Sequence, residues 1–208
     1  MNAHGSPGYD VVVLGAGPAG ASCGLALARA GVERLCLVDG GLANTVAIGE
    51  TIPPDTRLLL QQLGVWEAFL DDGHLPCPGS CAAWGSPRLG FNDFVLNPQG
   101  TAWHLDRARF DGFLRRHAHA AGVAGISDAR LVGVVQEANG DFCLRLSLGA
   151  RGVRTLVDAT GQASALARRL GARRRELDRL SVVYGFFDAA HAASPSRSTL
   201  LEASADGW

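Results

Sequence analysis

Residues Tyr9–Asp39, YDVVVLGAGPAGASCGLALARAGVERLCLVD, decide the fold. Asp10–Leu14 is a short apolar run rich in valine, which suits a strand buried on both faces of a parallel sheet. Gly15, Gly17 and Gly20 then give G-x-G-x-x-G. In that pattern the first glycine makes the tight turn, the second lets a pyrophosphate reach the backbone, and the third lets the helix pack against the strand. Pro18 and Ala19 open the helix, where a missing N–H costs nothing. Its free N–H groups and positive dipole end are aimed at phosphates. Arg34–Val38 reads as the second strand, and Asp39 stands at its end, 19 residues after Gly20, where a carboxylate can accept hydrogen bonds from ribose hydroxyls. Strand, glycines, helix, strand and acid in register specify a dinucleotide-binding βαβ unit. An acid at position 39 favours a free 2′-hydroxyl, which FAD and NAD share, so the motif leaves both open.

The chain has 208 residues, enough for one domain or one domain and part of another, and a formal net charge of −1. That balance suggests neither nucleic-acid binding nor a membrane surface. All 19 basic residues are arginine. The five cysteines form no C-x-x-C pair and read as reduced thiols of a cytoplasmic protein. The first residues, MNAHGSPGYD, lack a basic signal-peptide region, and Val11–Ala28 is too broken by glycine and proline to span a membrane.

Beyond Asp39, Pro53-Pro54-Asp55 predicts a helix start carrying Leu58, Leu59 and Leu63, closed by Gly64. Gly49 and Glu50 precede it in a loop. Residues 74–101 carry short strand-like pieces at Cys81–Trp84 and Phe91–Leu96, with another at Thr101–Leu105, and read as a departure into a β-rich layer. The aromatics Trp84, Phe91, Phe94 and Trp103 are expected in its core. Asp106 is a good N-cap for a helix closed by Gly122, and Arg107 opposes the dipole in the first turn. His104, His117 and His119 have no metal-ligand spacing, and no metal site is expected. Asn139-Gly140 predicts a type I′ hairpin and Gly149–Gly152 a second turn. Three antiparallel strands would then precede the buried strand Thr155–Val157. Asp158-Ala-Thr-Gly161 follows as another strand-to-helix turn able to face a phosphate. The arginine-rich stretch Arg168–Arg179 reads as solvated surface and Leu180–Phe187 as a strand.

Four blocks in this order give the chain a family look: GAGPAG (Gly15–Gly20), GETIPP (Gly49–Pro54), HLDRARFDGFL (His104–Leu114) and DATGQAS (Asp158–Ser164). They resemble FAD-dependent monooxygenases of the glutathione-reductase-type fold, in the branch with flavin-dependent tryptophan halogenases and geranylgeranyl reductases. GETIPP, CAAWG and TAWHLDRARFD are also similar to segments of LodB-like flavoproteins, which modify a tryptophan in a partner enzyme precursor. The resemblance implies an α/β fold: a Rossmann-like FAD-binding domain, with a parallel sheet and a three-stranded β-meander, plus part of a β-rich substrate domain. It divides the chain into 9–73 with 102–175 for FAD, and 74–101 with 176–208 for substrate.

The same resemblance implies site residues. Gly15, Gly17 and Gly20, with Pro18 and Ala19, would hold the pyrophosphate, and Asp39 the adenosine ribose. Gly49 and Glu50 would lie beside the flavin side. Arg107 would reach the phosphate or ribityl chain. Val132 would meet adenine through its backbone, and Asp158 and Gly161 would support the cofactor. No catalytic residue stands out. The implied activity is hydroxylation of an aromatic ring through a peroxyflavin. Its substrate would be a small aromatic molecule or a tryptophan-containing precursor protein, with NAD(P)H or a reductase as electron donor. Flavin halogenases use a lysine in the part of the chain covered here; this sequence has none, so halogenation is not expected. The family's later Gly-Asp block should come after Trp208, so the chain reads as a truncated product. The rival functions are a non-catalytic nucleotide-binding fragment and a flavin-dependent prenyl or alkene reductase.

Overall fold

The computed structural model describes residues 8–41, 51–185, 197–205 and 207. In chain order the elements are β1 (Tyr9–Leu14), α1 (Pro18–Arg29), β2 (Leu35–Val38), β3 (Thr51–Ile52), α2 (Thr56–Gln62) and α3 (Trp66–Asp71). Next come β4 (Leu75–Cys77), β5 (Gly79–Ala83), β6 (Gly90–Asp93), β7 (Ala102–His104), α4 (Arg107–Ala120) and β8 (Ala124–Ile126). The last are β9 (Leu131–Gln136), β10 (Phe142–Leu146), β11 (Gly149–Asp158), α5 (Ala165–Arg169) and β12 (Thr199–Glu202). They divide into two compact units. One holds residues 8–41, 63–65 and 107–174; the other holds 51–62, 66–106, 175–185 and 197–207. Sequence reading drew the nucleotide domain as 9–73 and 102–175. The compact units divide differently because β3, β7 and β4 form one three-stranded sheet, which ties residues 51–52 and 102–104 together.

The first unit is a six-stranded sheet in the order β8-β2-β1-β11-β10-β9. The first four strands are parallel, and β10 and β9 extend the sheet antiparallel. The second half of β1 and all of β2 bury almost completely: Val12–Leu14 and Leu35–Val38 are all in the core. Val12, Leu14, Cys36 and Val38 pack with Leu144, Leu146, Val153 and Leu166 from the meander side. Helix α1 lies against α4, and Gly24 of α1 faces Val123 just beyond the end of α4, where a Cβ would make ordinary contact at 3.6 Å.

The meander departs from expectation in two places. Residues Gly149–Gly152 make no turn; the chain reverses at Ser147-Leu148, because Leu146 pairs with Gly149, and β11 then runs ten residues without a break. Its first half pairs with β10, and Val153–Asp158 pair with β1. The third meander strand and the buried strand are therefore one strand. At Asn139-Gly140 the turn is not type I′, which needs positive φ at both residues. Only Gly140 has it, at 88°, and its N–H bonds back to Glu137 O, so the turn closes with glycine in the left-handed position.

The second unit holds the sheets β12-β5-β6 and β3-β7-β4. Phe69 is fully buried, 5.6 Å centroid to centroid from Trp66 and edge-on to Trp103 at 5.4 Å. The His74 ring tilts over the same phenyl group at 5.1 Å. Asp106 N–H donates to His74 Nδ1, so in the neutral ring the proton sits on Nε2, which lies 3.3 Å from Asp72 Oδ2. Of the four aromatics expected in the core, Trp103 packs there, whereas Trp84 and Phe91 are exposed on the β5-β6 side. Phe94–Leu96 is a 3-10 turn rather than strand, and Leu180–Gly185 has no regular structure. Phe186 and Phe187, the end of that expected strand, lie outside the described residues. Among the described residues no helix is long and apolar enough to cross a membrane.

Candidate functional site: a nucleotide cleft at the strand ends

Chain direction brings the carboxyl ends of β1, β2, β8 and β11 to one edge of the parallel sheet, the place where open α/β sheets bind ligands. Gly15 N–H bonds to Val38 O and Ala159 N–H to Leu14 O, so the three turns are laced together. Gly15 has φ 104°, which favours glycine, and a Cβ there would lie 2.2 Å from Ala159 O. A Cβ on Gly20 would lie 1.8 Å from Gly15 O, so this glycine is what lets α1 sit on the turn. Gly17 differs from both. It is the N-cap of α1, Pro18 is the first helical residue, and a Cβ at Gly17 would meet no protein atom within 4 Å. The absent side chain at 17 leaves open space above the helix N-terminus. That is the cradle a pyrophosphate needs, so the residues fit FAD.

Asp39 stands at the end of β2. Its backbone is fixed on both sides, N–H to Ile126 O and C=O to Ala129 N–H, and its Oδ1 accepts from Gly41 N–H at 3.1 Å. It lines a cleft of about 330 Å³ with Ala16, Arg115, His119 and Ile126. Ala16, inside the glycine turn, and Asp39 therefore line one cleft. Asp128, beside this cleft, is one of two non-glycine residues with positive φ (57°) among those described.

Other expected site residues are placed differently. Arg107 lies along α4 with Nε 3.2 Å from Asp111 Oδ1, one turn on, and this pair accounts for an arginine at a helix start. Val132 is on β9, the outer strand of the sheet, with its carbonyl toward Arg169 Nε at 3.4 Å; the structure does not bring it into the Asp39 cleft. Gly49 and Glu50 lie outside the described residues. Arg115 was missed by sequence reading. Its Nη1 donates to Ala16 O at 3.3 Å, across 99 positions of chain. No spacing in the sequence marks it, because the contact joins α4 to the glycine turn. His104, His117 and His119 go separate ways: His104 to Thr51 and Arg197 O, His117 onto Phe113, and His119 Nδ1 to Val123 O.

Asp158 is committed to its own turn. Its Oδ1 accepts from the Thr160 N–H and hydroxyl, and its Oδ2 accepts from Ala167 N–H at 2.8 Å. Thr160 Oγ1 accepts from Ala165 N–H, so Asp158 and Thr160 together satisfy the free N–H groups that open α5. Partial burial alone would raise the carboxyl pKa; the Thr160 and Ala167 hydrogen bonds outweigh it and hold the group below its ordinary 3.8. A lowered folded-state pKa adds stability above the unfolded value, and that stability is lost as pH falls through the folded one. Asp158→Ala is expected to cost about 1–2 kcal/mol at about pH 7, and the gap to the parent should narrow towards about pH 3. Denaturant titrations at the two pH values check this.

Residues 8–200 match the FAD binding domain family. A 1H-pyrrole-2-carbonyl-[peptidyl-carrier protein] chlorinase of Pseudomonas fluorescens is 30% identical over 81% of this chain and 42% of its own length. The FAD-dependent oxidoreductase LodB of Marinomonas mediterranea is 28% identical over 78% of this chain and 46% of its own. Further relatives are flavin-dependent halogenases, so the kinship reaches further into that group than the missing lysine led one to expect. The chain spans less than half the length of these relatives. A flavoprotein/dehydrogenase from Cytophaga hutchinsonii has the same fold, with TM-score 0.72, 22% identity, and coverage of 82% of this chain and 44% of that one. With its glycine turn and sheet order in place, the chain belongs to the FAD-binding domain family of flavin-dependent oxidoreductases, and FAD is its cofactor.

Proposed function

We propose that this protein serves an FAD-dependent monooxygenase that adds oxygen to an electron-rich aromatic ring, with a tryptophan side chain in a polypeptide as substrate class. The open space at Gly17, in register with Asp39, carries the cofactor half of this reading. Bound FAD would supply the redox chemistry between an electron donor, NAD(P)H or a reductase, and oxygen. The chain's own residues would hold the adenosine diphosphate portion: the α1 N-terminus on the diphosphate and Asp39 on the ribose. Gly15 and Gly20 contribute by letting strand and helix close up behind them. The resemblance of GETIPP, CAAWG and TAWHLDRARFD to LodB-like flavoproteins supports the polypeptide substrate, and the absence of lysine supports oxygenation over halogenation.

Halogenation of an aromatic ring is the second reading, favoured by the relatives that are halogenases. The two part in one assay. The protein, loaded with FAD and given an electron donor, oxygen and a tryptophan-bearing peptide with chloride and bromide present, is expected to yield a peptide heavier by oxygen. Product carrying a halogen isotope pattern would overturn oxygenation. Failure to retain flavin through gel filtration would remove the cofactor assignment on which both stand.

A further inference from the structure

We propose that the arginines gathered at the outer edge of the six-stranded sheet form a docking surface for an acidic polypeptide. The proposal goes beyond the FAD-binding reading and does not need it. Residues 142–174, all in the first unit, carry seven arginines and one acid, Asp158, in a chain whose net charge is −1. Asp158 is turned onto the N–H groups of its own loop and of α5, so it does not offset them. Two guanidinium groups meet on neighbouring residues of β9, the last strand of the sheet. Arg169 donates through Nη2 to Leu131 O at 2.7 Å and through Nε to Val132 O at 3.4 Å. Arg145 points away from the core, because Leu144 and Leu146 on either side of it are buried. Its guanidinium lies over Gly133, where Nη2 would be 3.0 Å from a Cβ. Arg168, Arg173 and Arg174, next along the chain to Arg169, are exposed. Among the described residues none of these five arginines has a carboxylate within ion-pair distance.

A surface charged only for solubility carries both signs interspersed, whereas this one carries a single sign. Two leucines also stand among the arginines with more than half their surface open, Leu148 at 59% and Leu170 at 52%. Leu148 lies in the reversal from β10 to β11, where Ser147 N–H bonds to Arg130 O just before β9, and Leu170 follows Arg169. Apolar side chains set among arginines suit a protein partner, which pairs carboxylates with the guanidinium forks around a desolvated centre. A single-stranded nucleic acid would use aromatic platforms for its bases. Phe142 is the only aromatic residue in 142–174, and it is half-buried. A lipid surface would take an amphipathic helix lying flat, and α5 has five residues.

Fluorescence anisotropy of a fluorescein-labelled peptide, rich in glutamate and carrying one tryptophan, tests this on the purified chain. The peptide is expected to bind, more weakly as salt rises, and the same peptide with lysine for each glutamate is expected not to bind. Arg145→Gln, Arg173→Gln and Arg174→Gln combined should weaken the glutamate peptide by about tenfold or more. FAD affinity and melting should stay unchanged, because the three side chains are exposed and none lines the cleft at Asp39. Arg88→Gln with Arg197→Gln, exposed arginines of the second unit, should change little. No binding of the glutamate peptide by the parent, or an equal loss in the two sets of variants, would overturn the proposal. So would a single-stranded oligonucleotide or phosphatidylserine vesicles bound at least as tightly as the peptide at the same salt. Should the triple variant not fold, the parent decides: a preference for glutamate over lysine that fades with salt supports the surface, and equal binding of the two peptides refutes it. A chain that takes the peptide but not FAD would remove the FAD-binding reading and leave the docking surface standing.

Discussion

Gly17→Val is expected to abolish flavin retention while leaving the fold standing. Nothing in the protein lies within 4 Å of a Cβ at position 17, and φ there is −72°, which any residue adopts. The substitution therefore strains neither backbone nor packing. Its two methyl groups would occupy the space above the α1 N-terminus where the diphosphate must approach the N–H groups. FAD affinity should fall by at least about a hundredfold, or about 2.7 kcal/mol, with melting of the FAD-free protein nearly unchanged. The contrast lies three residues on: at Gly20 a Cβ would press on Gly15 O at 1.8 Å, so a loss of FAD there could come from a broken turn. Flavin binding by Gly17→Val at parental affinity would place the cofactor elsewhere.

What could be read from the sequence was local chemistry. The run Val11–Val13, the glycines at 15, 17 and 20, and Asp39 each constrain the backbone within a few residues, and the parallel register of β1 with β2 follows from joining them. What was not legible depends on partners far along the chain. Arg115 reaches Ala16 only because α4 packs on α1, which no spacing rule states. Arg107 stood out in the sequence by its place in a first helical turn, and its pairing with Asp111 one turn on became visible only in the structure. Glycines misled at 149–152, where β11 continues: residues Gly149–Gly152 pair with β10, and from Val153 on the same strand pairs with β1, so the ladder carries the glycine-rich stretch without a turn. Leu180–Gly185 has strand-like composition, but among the described residues no strand pairs with it, and β propensity without a partner does not make a strand.

The aromatic cluster of the second unit yields the other large effect. Phe69→Ala is expected to cost that unit about 3–5 kcal/mol, the range for emptying a buried phenyl site. Phe69 has no exposed surface and is touched from three directions, by Trp66, Trp103 and His74. Two of the three sit on short elements, α3 and β7, so the phenyl ring is what binds a six-residue helix to a three-stranded sheet. Relaxation cannot fill the gap cheaply, since Trp66 is also held by the Arg57 guanidinium, 5.3 Å from its ring. Phe69→Leu keeps most of the volume and should recover more than half of the loss. Tryptophan fluorescence is the measurement, because Trp66 and Trp103 border the site: in Phe69→Ala the denaturant midpoint should drop sharply, with an intermediate value for Phe69→Leu. Equal midpoints for the alanine variant and the parent would mean that the ring is not the keystone of that cluster. An equal drop for both variants would mean that edge-to-face ring geometry, rather than filled volume, supplies the stability.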